Sequence, residues 1–152
     1  MLALQEISDR LEIQDLLARY SHAIDRRDWA ALDYIFTPDA AIDYTAMGGA
    51  SGTLSEIKAY LESALAHFTG FQHLVGTTEL AITGDTAIAK TICHNPMIME
   101  IDGKEWVFFC GLWYHDKLVR TEHGWRIRQR TEEKSFFFNL PPSFTPPPTT
   151  RA

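Results

Sequence analysis

Apolar residues recur at helical spacing from the start of the chain. Leu4, Ile7, Leu11, Ile13, Leu16, Leu17, Tyr20 and Ile24 predict one amphipathic helix over residues 3–26. The run Asp25-Arg26-Arg27-Asp28 breaks that stripe. Trp29, Leu32, Ile35 and Phe36 predict a second, short helix, which Thr37-Pro38-Asp39 stops. Residues 40–44 read as a short strand, and Gly48-Gly49-Ala50-Ser51-Gly52 as a flexible turn. A third helix carries Leu54, Ile57, Tyr60, Leu61, Ala64 and Leu65 on its apolar side, with Thr53 or Ser55 as its cap.

From Phe71 onward the pattern becomes that of strands. Residues 71–83, 86–101, 104–120 and 125–138 predict four long antiparallel strands. Gly84-Asp85, Asp102-Gly103 and Thr121-Glu122-His123-Gly124 are the turns between them. Strands of this length cannot lie flat, so the sheet must twist and curl. With the first helix on its concave face, the expected fold is an α+β cone around an enclosed pocket suited to a small apolar ligand. Residues 1–139 form this one domain, and residues 140–152, with five of the seven prolines, form a tail that cannot be regular structure.

Charge narrows the range of partners. A formal net charge of −6 argues against nucleic acid, which requires a clustered basic face. Arg126, Arg128 and Arg130 alternate and read as one solvated strand face. The start MLALQEISDR has neither a basic segment nor a long apolar run, so no signal peptide is expected. No stretch approaches the ~20 apolar residues of a membrane span. The expected location is cytoplasmic. There Cys93 and Cys110 read as buried free thiols, a disulfide being possible only if their strands pair closely. With no CxxC or HExxH and scattered histidines, no metal site is expected.

A set of short motifs then carries a resemblance. Tyr20-x4-Asp25-x2-Asp28-Trp29, Phe36-x2-Asp39-Ala40, Ile42-Asp43-Tyr44, Gln72-His73-x2-Gly76, Gly84-Asp85-x-Ala87-x-Ala89 and Gly124-Trp125-Arg126-Ile127-x2-Arg130 follow one another in order. Together they resemble the SnoaL-like branch of the nuclear transport factor 2-like superfamily, and within it scytalone dehydratase and its bacterial relatives. The resemblance spans roughly residues 5 to 135. It implies an α+β cone and a homo-oligomer, with a trimer ahead of a dimer. It also implies cofactor-free elimination of water from a hydroxylated aromatic or polyketide-like molecule. Isomerases, cyclases, carbon–carbon lyases with the same base and non-catalytic scaffold subunits share the fold, so these readings stay open.

The resemblance assigns His73 as general base and Asp25 as the carboxylate that orients it. Tyr44 is a candidate to hold a water or a substrate carbonyl, and Tyr20, on the same side of its helix as Leu17 and Ile24, is a candidate to line the pocket. Two positions depart from the dehydratase pattern: Ile24 stands where relatives often have tyrosine, and Met97 where the second histidine falls. His94 replaces that histidine only if Pro96 marks a bulge that swings it inward; otherwise it is a surface residue. Trp113, Tyr114 and their aromatic neighbours are candidates to wall the pocket, and Phe138 to close it. In the run Phe136-Phe137-Phe138, successive residues point to opposite faces, so at least one must find cover outside the core. The segment from Phe136 to Phe144 is expected to close the pocket mouth or cap a subunit interface.

Overall fold

A computed structural model describes residues 1–145 and 147. Helix α1 (Leu4–Asp25) is followed by a 3-10 turn (Ala30–Tyr34) and strand β1 (Phe36–Asp43). A second 3-10 turn (Thr45–Met47) leads to β2 (Ser51–Thr53) and helix α2 (Leu54–Leu65). The strands β3 (Gly70–Phe71), β4 (Leu74–Thr83), β5 (Thr86–Ile101), β6 (Lys104–Thr121) and β7 (Gly124–Phe138) complete the chain. They form one seven-stranded sheet in the order β2-β1-β7-β6-β5-β3, with β4 also on β5. Only the β1–β7 pairing is parallel. The sheet curls into a half-barrel with the helices against its inner face, an α+β cone.

Several expected elements change form. The second helix is only a 3-10 turn, because extended backbone begins already at Phe36. Pro38 is carried in β1 at a register shift between Phe36 and Ala41, where no ladder bond to its missing N–H is needed. Part of the glycine-rich turn is β2. Thr53 is the cap of α2: its hydroxyl accepts from Glu56 N–H while Glu56 accepts from Thr53 N–H, a capping box. The first long strand is interrupted at Gln72-His73.

β7 carries two bulges that set which side chains enter the cone. Leu118 pairs with Ile127 but Lys117 with Gln129, so Arg128 is an extra residue. Arg130 is thereby turned from the outer face, where alternation with Arg126 would put it, to the inner face, and it is 0 % exposed. Ser135 is extra in the same way between Lys134 and Phe136. Past it Phe137 points inward, while Phe136 and Phe138 point out.

In α1 the core face begins at Ile13, and Leu4, Ile7 and Leu11 stay exposed. Asp9 is the exception among the early residues. Its carboxylate takes two bonds from Arg120 (2.6 and 2.7 Å), one from Trp125 Nε1 (3.1 Å) and one from Gln5 (3.1 Å). These tie the helix to the β6–β7 end of the sheet. The Arg120 hydrogen bonds hold the carboxyl well below the usual carboxylate range, against the opposing effect of burial. A depressed folded pKa stabilises above the unfolded value and loses that contribution as pH falls. Asp9→Asn is therefore expected to cost about 3 kcal/mol at neutral pH. The gap to wild type should narrow as pH drops below the ordinary value of 3.8. Urea unfolding across pH checks this, and a pH-independent gap would contradict it. No described helix is long and apolar enough to cross a membrane.

Candidate active site

Asp25 is the last residue of α1, and the way that helix ends aims it. Asp28 N–H bonds to Ala23 O and Arg27 N–H to Ile24 O, a Schellman closure with Arg27 in the left-handed region at φ 56°. A non-glycine residue holds that conformation only when its surroundings compensate. Here the guanidinium of Arg27 donates to Leu65 O at the end of α2 and to Phe68 O just past it, and lies 5.1 Å from the Phe71 ring centre. The end of α1 is thus fastened to α2 and β3, beside the interruption that carries His73.

That interruption turns His73 toward Asp25. The Asp25 carboxylate accepts from His73 N–H at 3.1 Å through each oxygen and from the ring Nδ1 at 2.7 Å. With Nδ1–H engaged, Nε2 is the nitrogen left to take a proton. His73 lines a cavity between the helices and the sheet, and Asp25 stands behind it.

The cavity holds about 160 Å³ and is walled mainly by apolar groups, among them Met97, Phe108, Leu112, Tyr114 and Phe137. Past Asn139, itself at φ 56°, the tail turns back and Phe144 reaches the lining, with ring centres 5.7 Å from Phe137 and 6.4 Å from Phe108. Gly48, at φ 87°, makes room for it: a Cβ there would stand 3.3 Å from Phe144 Cζ. The last prolines of the tail, 146 and 148, lie outside the described residues.

Of the expected site residues, His73, Tyr44, Met97 and Tyr114 line this cavity. Others do not. The β5–β6 ladder runs without a shift from Thr86↔Val119 to Ile101↔Lys104, so Pro96 makes no bulge and His94 stays on the outer face. There it stacks on Phe109 at 5.5 Å. Trp113, adjacent to inward Tyr114, points out under Lys90. Ile24 packs in the buried core rather than in the lining. Phe138 is 65 % exposed because the Ser135 bulge turns Phe137 in instead. Tyr20 is buried behind the wall, and its hydroxyl bonds to that of Tyr44 at 2.8 Å. Burial pushes both phenols up, so the pair stays protonated.

Comparison with known proteins now decides the family. Residues 5–131 match the SnoaL-like domain. The chain belongs to this family. This SnoaL-like protein is 51% identical over 136 residues to an uncharacterised protein of Mycobacterium tuberculosis H37Rv, covering 90% of the chain and 92% of the relative. Among solved structures it resembles one described as a candidate scytalone dehydratase from Novosphingobium aromaticivorans (TM-score 0.80, 16% identity, 97% of both chains). It also resembles a hexachlorocyclohexane dehydrochlorinase, LinA Type2 (TM-score 0.79, 17% identity, 97% and 99% covered). At these identities the likeness is one of fold.

The SnoaL-like cone also holds a polar interior that sequence reasoning missed. Arg130 makes a bidentate pair with Asp116 (2.7 and 2.6 Å), and its guanidinium lies 4.0 and 4.1 Å from the ring centres of Tyr20 and Tyr114. At the next inner position along β7, Glu132 lines the cavity, as does Asn95 of β5. Burial pushes the Glu132 carboxyl well above its usual range despite nearby Arg130. The signal for Glu132 was its place two residues past the Arg130 that ends a family motif. Cys93 and Cys110 sit on paired strands but out of register with each other, opposite Leu112 and Asn95. Both are free, and burial pushes each thiol up to about 12.

Proposed function

We propose that this SnoaL-like protein is a lyase that eliminates water from a small hydroxylated aromatic or polyketide-like molecule. The observation that carries the reading is the 2.7 Å Asp25–His73 pair at the wall of a mostly apolar cavity. Dehydratase and dehydrochlorinase, the activities named for two structural relatives, share one requirement: a base that removes a proton from carbon as a leaving group departs. His73 Nε2 takes the proton beside a carbonyl, and the Asp25 carboxylate holds the ring and stabilises the imidazolium. The C–H electron pair becomes the new C=C bond as the C–O bond breaks. Tyr44, fixed through Tyr20, holds the substrate oxygen, while Met97 and Tyr114 contact its apolar body. A cavity of about 160 Å³ is smaller than typical drug-sized sites and suits one or two rings.

A tetralone bearing a hydroxyl β to its ketone tests this, because loss of water yields fluorescent α-naphthol. Turnover by the wild-type protein is the expected result. Exchange of the α-protons of plain tetralone in D2O, without water loss from the hydroxy compound, would instead indicate an isomerase or cyclase using the same base. Neither reaction would point to a scaffold protein.

We also propose a homo-oligomer, a trimer ahead of a dimer as in scytalone-dehydratase-like members. Leu74, Ile88, Ile92, Phe136 and Phe138 expose large apolar surface on the outer face of the sheet. Light scattering should return a multiple of 17.3 kDa, and a monomer would count against it.

A further inference from the structure

Two polar atoms buried at the cavity wall have no hydrogen-bond partner among the described residues, Glu132 Oε2 and Asn95 Oδ1. Orphaned buried groups are costly to a fold, and at a cavity wall a ligand can complete them. Both are aimed by their strands. Glu132 pairs across the ladder with inward Tyr114, and Asn95, 3 % exposed, lies between buried Cys93 and Met97 on the inner face of β5. Among the described residues no charged group hydrogen-bonds Glu132 Oε2. Arg130 favours ionisation through its charge, but it is bonded to Asp116 through Nε and Nη2 and its buried Nη1 has no partner among the described residues; Asp43 opposes ionisation, and Lys134 reaches toward Pro147 O. The other titratable neighbours of Glu132, Tyr20, Tyr44, Tyr60, Tyr114, Cys93 and Cys110, are neutral groups that burial keeps protonated.

We propose that Glu132 carries its proton into the reaction and is the general acid of the elimination, with Asn95 holding a second polar group of the substrate. This rests on the reading of the cavity as a lyase site. Glu132 reaches the cavity from β7, with β6 between it and the β5 that holds Asn95 and borders the His73 segment. Acid and base therefore come from different parts of the curl, Glu132 from β7 and His73 from the break between β3 and β4. His73 Nε2 takes the proton from carbon, the C–H pair forms the double bond, the C–O bond breaks, and the Glu132 proton joins the departing oxygen as water. An imidazolium and a carboxylate remain, and transfer of the proton from His73 to Glu132 through the released water restores both. The step is redox-neutral. It selects an uncharged substrate with a hydroxyl, since an anion would meet the Glu132 carboxylate each time it had given up its proton.

The test compares wild type with Glu132→Gln, Glu132→Leu and His73→Ala. Infrared difference spectra at pH 7 should show a carboxylic-acid C=O stretch in the wild type that both Glu132 variants lack; an ionised Glu132 would overturn the assignment. Glu132→Leu should melt at or above the wild-type temperature, because it removes an orphaned polar group. A lower melting temperature with unchanged kinetics would make Glu132 structural and also overturn it. With the hydroxytetralone, Glu132→Gln should lower kcat about 10²-fold or more. The same variant should lose far more of the elimination than of the α-proton exchange of plain tetralone, whereas His73→Ala loses both reactions. Full elimination by Glu132→Gln with loss in His73→Ala would remove the acid and leave the base. Full activity of His73→Ala would remove the lyase reading itself.

Discussion

His73→Ala is expected to lower kcat by at least about 10²-fold and to leave the fold in place. The ring contributes one side-chain hydrogen bond, to Asp25, and an edge contact with Phe71 at 6.0 Å between ring centres. The backbone N–H of His73 still bonds to Asp25 in the variant, so the local turn survives. What is lost is the only imidazole in the cavity lining among the described residues. Asp25→Asn is expected to match or exceed that loss, up to about 10⁴-fold. The carboxylate accepts from both the ring and the backbone of His73, whereas an amide can accept through one oxygen only. Its NH2 would then favour the tautomer that puts the proton on Nε2, where the base is needed. Steady-state kinetics with circular dichroism as the folding control decides the matter. Wild-type kcat in either variant would mean that the pair is not the base.

The largest stability effect should come from Asp116→Ala. The Asp116 and Arg130 side chains are both 0 % exposed and joined by two short bonds. Removing the carboxylate leaves a guanidinium buried among Tyr20, Tyr114 and Phe36 without its bidentate partner. Breaking such a pair costs about 3–5 kcal/mol, a large share of the roughly 5–15 kcal/mol that holds a domain folded. The consequence should reach the pocket, since Tyr20 carries Tyr44. Replacing both partners with apolar residues, Asp116→Leu with Arg130→Met, should cost far less than the single change. Urea unfolding measures both, and a loss below about 1 kcal/mol for Asp116→Ala would contradict the buried-pair account.

Much of this was legible in the chain because it follows from local pattern. The ends of β5 are those marked by Gly84-Asp85 and Asp102-Gly103, and of the two candidate caps, Thr53 and Ser55, it is Thr53 that caps α2. The proximity of Asp25 and His73, 48 positions apart, was legible only through the resemblance. Periodicity could not show the bulges at Arg128 and Ser135, because an extra residue in a strand leaves no local signature when neither Gly nor Pro marks it. Those bulges turned Arg130 inward and Phe138 outward. Pro96 sent the opposite false signal: a proline that suggested a bulge sits in an unshifted ladder, and His94 stays outside. The 3-10 turn at Ala30–Tyr34 was overcounted as a helix because four apolar residues fit either period over so short a span.

The most direct test of the central claim, that Asp25 and His73 form a base facing a substrate cavity, is a crystal structure with tetralone bound. The account predicts the ketone inside the cavity, its α-carbon about 3–3.5 Å from His73 Nε2 and its oxygen against Tyr44. A tetralone seated elsewhere, or one in the cavity with Nε2 turned away from every carbon beside the carbonyl, would contradict it.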